Sequence, residues 1–306
     1  MNFNIIFIVG PTAVGKSDVA FQLAQKINGE IISCDSMQIY KEINIASGKP
    51  SKKILEKIPH HLVGVLSVKE DFNVAQFFSL VEKAIQSIHK RKKVPIIVGG
   101  SGLYMQVLLD GIFQQKAIDP KLKMRLEKEL KEKGAEALYQ RLKKVDPNAA
   151  LRVHPNNTRR LIRALEANAL SQEPFSKVRQ SRDGLLGKYD IKIFALNRKR
   201  EELYSRINSR VEKMFDHGIV EEIKALNTSS LSQTAKQLIG VKEVLGYLQG
   251  EYDLEKAKYL MQLNTRHFAK RQLTWFRKDK RLEWITIESD EPTQNVVEKI
   301  FREVKI

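Results

Sequence analysis

The run Gly10-Pro11-Thr12-Ala13-Val14-Gly15-Lys16-Ser17 fits the pattern G-x-x-x-x-G-K-S in full, and no other feature constrains the chain as much. It follows a short apolar run, Asn4 to Val9, and precedes a helix-forming stretch from Ser17 to Asn28. That order predicts a buried strand, a tight loop and a helix. Gly10 and Gly15 permit backbone conformations that side chains obstruct, so successive N–H groups can point into one concave site at a positive helix end. Lys16 adds a mobile cation for terminal phosphate oxygens. The Ser17 hydroxyl stands where a Mg2+ ion is held, and Thr12 can donate to a phosphate from inside the loop. The whole segment, with Pro11, Ala13 and Val14 between its glycines, is read as the cradle of a diphosphate or triphosphate.

Further short apolar runs predict more strands: Glu30 to Ser33, Val94 to Val98 running into Gly99 and Gly100, Ile191 to Leu196, and Leu282 to Ile287 before a terminal helix. Short strands alternating with helices imply an α/β fold, a P-loop NTPase-like parallel sheet with helices on both faces. From about Asp119 to Gly187 the pattern changes to charged, helix-forming sequence broken at Gly134, Pro147, Pro155 and Pro174, with no strand. This predicts an inserted all-helical domain, 119–187, within a core built from 1–118 and 188–306. Lys199 to Lys278 reads as mostly helical, with breaks at Gly218, around Asn227 to Ser232, and at Gly250.

At 306 residues, 42% of them hydrophobic, the chain can bury one large core or two moderate ones. No apolar run approaches the roughly 20 residues that span a bilayer. The opening Met1 to Gly10 lacks the basic flank and cleavage site of a secretory leader. A single cysteine, Cys34, leaves no internal disulfide and no thiolate pair for structural zinc, so a cytoplasmic location is expected. The charge is more telling: 53 Lys/Arg against 36 Asp/Glu give +17. Residues 141–215 hold 18 basic and 8 acidic side chains, and residues 264–281 hold seven and one. Two concentrated basic stretches predict a polyanionic partner.

The phosphate loop alone leaves kinases, nucleotide hydrolases and other transferases open. The second strand narrows the choice, because it runs into Cys34-Asp35-Ser36-Met37-Gln38-Ile39-Tyr40-Lys41. In a doubly wound sheet that end faces the same crevice as the loop, so Asp35 is expected near the phosphates. A carboxylate beside a polyphosphate needs a task or a metal, since two uncompensated anions repel; the plainer alternatives are that it caps a turn or helps hold Mg2+.

Beyond these residues come Gly48-Lys49-Pro50, Pro59-His60-His61-Leu62, Val98 through Tyr104, Asp146-Pro147, His154-Pro155-Asn156, Arg159 through Arg163, Arg206 with Arg210, and Thr274-Trp275-Phe276-Arg277. In that order the chain resembles the tRNA dimethylallyltransferases over most of its length. The resemblance implies that the loop holds the diphosphate of dimethylallyl diphosphate, and that the N6 amine of the adenosine beside the anticodon receives the allyl group. It implies Asp35 as general base, with Thr12, Lys16 and Arg210 on the departing diphosphate and Ser17 on Mg2+. It implies tRNA contacts at Asp35, Ser36, Met37, Gln38, Ser101, Arg159, Arg160, Leu161, Ile162, Arg163, Gln237, Gly240 and Lys242. Three positions depart from the family pattern: Val241 stands where a tyrosine is usual, Ala46-Ser47 where Gly-Thr is usual, and His267 where a glutamine is usual. No zinc-binding extension of the eukaryotic kind is present, which suggests a bacterial-type enzyme, and with no heptad run or obvious edge strand to suggest a partner a monomer is expected.

Three rivals remain: a small-molecule kinase, an enzyme that prenylates free adenine nucleotides, and an RNA-binding protein with a nucleotide-dependent switch. The smaller signals read as structural. His60-His61 suggest a loop or packed imidazole, and Trp275 is expected in the core.

Overall fold

The apolar run Ile5 to Val9 is buried throughout and forms the middle of a sheet, as a strand with partners on both edges must. The structure, a computed structural model, describes residues 4–111, 119–170, 183–226 and 230–304; Pro174 and residues 227–229 lie outside them. In chain order the described elements begin with β1 (Asn4–Val9), α1 (Lys16–Lys26), β2 (Gly29–Ser33), α2 (Lys52–Lys57), β3 (His60–His61), α3 (Val74–Lys90), β4 (Val94–Gly99) and α4 (Gly102–Asp110). Next come α5 (Pro120–Val145), α6 (Pro147–Ala150) and α7 (Thr158–Leu170). The chain then runs through β5 (Asp190–Asn197), α8 (Arg200–Asp216), α9 (Ile219–Lys224), α10 (Gln233–Lys236) and α11 (Val241–Leu248). It closes with α12 (Leu254–Phe276), β6 (Glu283–Thr286) and α13 (Thr293–Glu303).

The strands lie in the order β3-β2-β4-β1-β5-β6, and every pairing is parallel. The expected α/β fold is therefore present. Register aligns the carboxyl ends: Val9 pairs with Gly99, and Ser33 with Val98. The loops after β1, β2 and β4 consequently leave the sheet at one level, which is what brings distant segments to one site. β3, only two residues long, carries too little pattern to be read from sequence; it docks beside β2 through Ile31 and Ile32.

Alternation along the strands divides the core. Ile6, Ile8, Ile31, Ile96, Val98, Phe194 and Leu196 join Val19, Ala20 and Leu23 of α1 and Val296, Val297 and Ile300 of α13 in one cluster. The intervening residues Ile5, Phe7 and Ile97 are equally buried and point to the other face. There α3 packs on β2 and β4 with the stripe Phe77, Val81, Ile85 and Ile88. α3 starts at a capping box, in which Asn73 accepts from the Gln76 amide and the Gln76 side chain accepts from the Asn73 amide.

Residues 110–185 form a separate compact unit. Its helices are punctuated as the breaks predict. Asp119 caps α5 before Pro120, Gly134 interrupts α5 with φ of 78°, and Asp146 caps α6 before Pro147. Leu126, Leu138, Leu142, Leu161, Ile162 and Leu165 make its own core. Among the described residues no helix is long and apolar enough to cross a membrane.

Candidate active site

The loop from Gly10 to Ser17 opens on a cavity of about 900 Å3. Thr12, Lys16, Ser17, Asp35, Ser36, Met37, Gln38, Gly48, Gly100, Arg210, Gln237 and Gln272 are among the residues that line it. Lys16 folds back so that Nζ donates to the Pro11 carbonyl at 2.7 Å. Burial pushes the Lys16 ammonium down to about 8, against the opposing pull of Asp35. Arg210 is likewise held below its ordinary value by burial, and Asp35 again offsets part of the shift. Asp35 is thus the counter-charge to both cations.

One oxygen of Asp35 accepts the Met37 amide at 2.8 Å. The turn-capping role is therefore real, and the second carboxylate oxygen carries no hydrogen bond among the described residues. Gln38 braces the same turn: its Oε1 accepts the Ser33 hydroxyl at 2.9 Å and its Nε2 donates to the Gly48 carbonyl at 3.3 Å.

Gly48 is the contact on which the second wall depends. Its φ is 58°, and a Cβ there would overlap the Arg210 guanidinium. With no side chain in the way, Arg210 reaches across and its Nη1 approaches the Thr12 hydroxyl at 3.5 Å. The loop that carries Gly48 is fastened at two points. Lys49 Nζ donates to the Tyr40 carbonyl, to the Lys41 carbonyl at 3.0 Å and to Asn44 Oδ1 at 3.1 Å. The Glu222 carboxylate of α9 accepts three successive amides, from Asn44 at 2.7 Å, Ile45 at 2.8 Å and Ala46 at 2.9 Å.

The outer side of the phosphate loop is held by arginines. Arg198 Nε donates to the Val14 carbonyl at 3.0 Å and Arg206 Nε to the Ala13 carbonyl at 2.9 Å. Arg198 is buried and also paired with Glu202. On the inner side, Gln272 of α12 joins the Thr12 amide to the Gly100 carbonyl.

Sequence reasoning singled out neither Arg198, Glu222 nor Gln272. A signal existed for Gln272, a polar residue on the buried helical phase shared by Met261, Ala269 and Phe276. Other expected residues lie differently from the loop. Gln237 lines the cavity, whereas Ser101, Gly240 and Lys242 do not. Gly240 begins α11 with its amide bonded to Glu243, and Val241 is fully buried, so its side chain belongs to packing.

Of the expected contact residues Arg159 to Arg163, Leu161 and Ile162 are buried. Their side chains are core residues of the helical unit, and they turn Arg159, Arg160 and Arg163 outward. Trp275 departs from the expectation of a core residue, since it is 37% exposed while Phe276 is fully buried. A Cβ on Gly102 would overlap the indole, so Trp275 lies over bare backbone rather than in the core. His61 accounts for itself structurally: it bonds the buried Glu30 carboxylate at 2.8 Å.

Few protein oxygens are set for a metal. Among the described residues no group of three His, Cys, Asp or Glu side chains could hold an ion. Ser17 and Asp18 are exposed at the loop and line the cavity. Mg2+ normally takes one or two protein ligands together with substrate phosphates and water, so this sparse set fits a Mg2+ that arrives with a diphosphate.

Fold and site together define a P-loop protein built for group transfer, with a carboxylate facing the phosphate cradle. A family model described as IPP transferase matches residues 38–279. The chain belongs to the IPP transferase family, and it is a transferase of that family. It is 41% identical to the tRNA dimethylallyltransferase of Halothermothrix orenii, over 99% of this chain and 92% of the relative. It is 44% identical to that of Heliobacterium modesticaldum, over 97% and 93%. Among solved structures it resembles the tRNA isopentenylpyrophosphate transferase of Bacillus halodurans, with 36% identity and a TM-score of 0.71 over 98% of this chain and 96% of that one. It also resembles a eukaryotic dimethylallyltransferase acting on tRNA, with 31% identity and a TM-score of 0.85 over 99% and 81%.

Proposed function

We propose that this transferase moves the dimethylallyl group of dimethylallyl diphosphate to the N6 amine of the adenosine beside the tRNA anticodon, releasing diphosphate. One observation carries the reading: Asp35 lines the same cavity as Thr12, Lys16 and Arg210. The carbon–oxygen bond to the diphosphate breaks, the bond from N6 to that carbon forms, and the N6 proton passes to the free oxygen of Asp35. Lys16, Arg210, Thr12 and the loop amides meet the charge that collects on the leaving diphosphate. Ser17 holds Mg2+, which supplies further neutralisation of that charge when bound.

The RNA is gripped by its backbone on the exposed Arg159, Arg160 and Arg163, and read near the cavity by Ser36 through Gln38 and by Gln237. Ser101, Gly240 and Lys242 complete the contact set. The family of the relatives supports this reading, as does the net charge of +17. The protein works in the cytoplasm as a monomer.

The test is to incubate the protein with Mg2+, unmodified tRNA and dimethylallyl diphosphate and to look for prenylated adenosine by mass spectrometry. Wild type gives the product and Asp35→Ala loses about 10²- to 10⁴-fold in turnover, with tRNA affinity much less changed. ATP consumption with small acceptors and no prenylated base would make the protein a kinase instead.

A further inference from the structure

Gln272 is 6% exposed on a helix otherwise buried through apolar side chains, and both ends of its amide are committed. Oε1 accepts the Thr12 N–H at 2.8 Å, and Nε2 donates to the Gly100 carbonyl at 2.9 Å. The orientation is forced, because a backbone N–H can only donate and a carbonyl can only accept. Gly100 leaves the room: a Cβ there would overlap the Gln272 amide.

A phosphate loop binds anions through the N–H groups it turns inward. Here one N–H of the loop, on Thr12, the third residue of the motif, is already satisfied by a neutral side-chain oxygen, and both residues line the cavity. The lone pairs of that oxygen face any phosphate oxygen brought to Thr12, so an extra phosphate meets an acceptor where a donor would otherwise stand. Lys16 and the amides at the start of α1 are untouched by this arrangement and remain for a shorter anion.

We propose that Gln272 is a specificity-determining residue that limits the loop to a diphosphate and disfavours a triphosphate, by occupying the Thr12 amide. The inference rests on reading the loop as a diphosphate site, and it explains how a sequence shared with nucleotide-binding proteins is turned to another ligand.

The experiment measures binding of inorganic diphosphate and inorganic tripolyphosphate, each with Mg2+, by titration calorimetry on wild type, Gln272→Met and Gln272→Glu. Wild type prefers diphosphate. Gln272→Met keeps the volume and removes the acceptor, so tripolyphosphate gains about tenfold relative to diphosphate, the scale of one charge-assisted hydrogen bond. Gln272→Glu keeps the shape but places a carboxylate beside Thr12, so the preference for diphosphate widens. A wild type that binds both anions equally overturns the proposal, as does a folded Gln272→Met whose ratio stays within about twofold of wild type. If Gln272→Met does not fold, an unchanged ratio in Gln272→Glu is equally fatal. Failure of prenyl transfer in the mass-spectrometric assay, with the anion ratio shifting as described, would sink the reaction and leave this inference standing.

Discussion

Gly48 and Arg210 compete for one space, and the guanidinium occupies it because Gly48 has no side chain. That relationship sets the distance from Arg210 to Thr12, and with it the second cation of the proposed phosphate site. Gly48→Ala should displace Arg210 without removing its charge. Loss of one charge-stabilising donor in an active site costs about 10²- to 10³-fold in turnover. We expect Gly48→Ala to lose most of that in kcat, and Arg210→Ala to lose all of it. Steady-state kinetics with wild-type turnover in Gly48→Ala would refute the account.

On the proposed reading of the loop as a diphosphate site, Lys16 imposes a pH dependence on binding. Its ammonium is pushed down to about 8 by burial, so the free protein loses this proton as pH rises through about 8, whereas the diphosphate complex needs it. Affinity is therefore fully present below pH 8 and weakens above it, approaching tenfold per pH unit. The ligand titrates too, so the quantity to follow is the ratio of wild-type to Lys16→Met affinity. A ratio that stays flat from pH 7 to 10 would show that Lys16 keeps its ordinary basicity.

Glu222 acts at a distance from the cavity. Its carboxylate gathers the amides of Asn44, Ile45 and Ala46, and so sets the path of the chain into Gly48. Glu222→Ala leaves three amides without their acceptor and should destabilise the protein by about 2 kcal/mol. It should also lower kcat by roughly tenfold through Gly48 and Arg210. Thermal unfolding and kinetics together check this, and a variant with lowered stability but intact kcat would confine Glu222 to folding.

Arg159, Arg160 and Arg163 stand outside the helical core, with Arg163 also 3.5 Å from Glu166. Replacing all three by alanine should raise the KM for tRNA and reduce the slope of log affinity against log salt by about two to three units. Diphosphate affinity should not change. An unaltered salt slope would mean that these arginines do not meet the RNA backbone.

Glu30 is the buried centre of an ion cluster with Arg91 at 2.6 Å, His61 at 2.8 Å and Lys93 at 3.1 Å. Burial alone would raise its carboxyl, but the hydrogen bonds from Arg91, His61 and Lys93 outweigh it and hold the group at about 2. Because the folded value lies below the ordinary 4.5, the stability it supplies is present above pH 4.5 and is lost as pH falls toward 2. Glu30→Gln should cost about 3 kcal/mol near neutrality, and the gap to wild type should narrow below pH 4.5. Denaturant unfolding across that range measures it, with a constant gap as the contrary result.

How much of this was legible from the chain depended on the range of the forces involved. The phosphate loop is local, since eight consecutive residues between an apolar strand and a helix dictate their own backbone, and five of the six strands among the described residues announce themselves by short apolar runs. The basic excess and the arginine face of α7 follow from residue types on one helix. Asp35 was placed beside the loop by the parallel-sheet rule alone. Tertiary structure decided the rest. Gln272 meets Thr12 across 260 residues of sequence, and Arg210 meets the same residue across 198. Helical phase marks Gln272 as buried but does not name its partner, and the Arg210 contact leaves no periodic trace at all. Trp275 and Phe276 sit side by side on α12, and helical periodicity alone does not say which of two neighbours faces inward; the bare backbone of Gly102 decided it by offering the indole a surface. Local hydrogen bonding and hydrophobic pattern are written in consecutive residues, but which polar atoms satisfy one another in a buried site is settled only when strands in register bring their ends together.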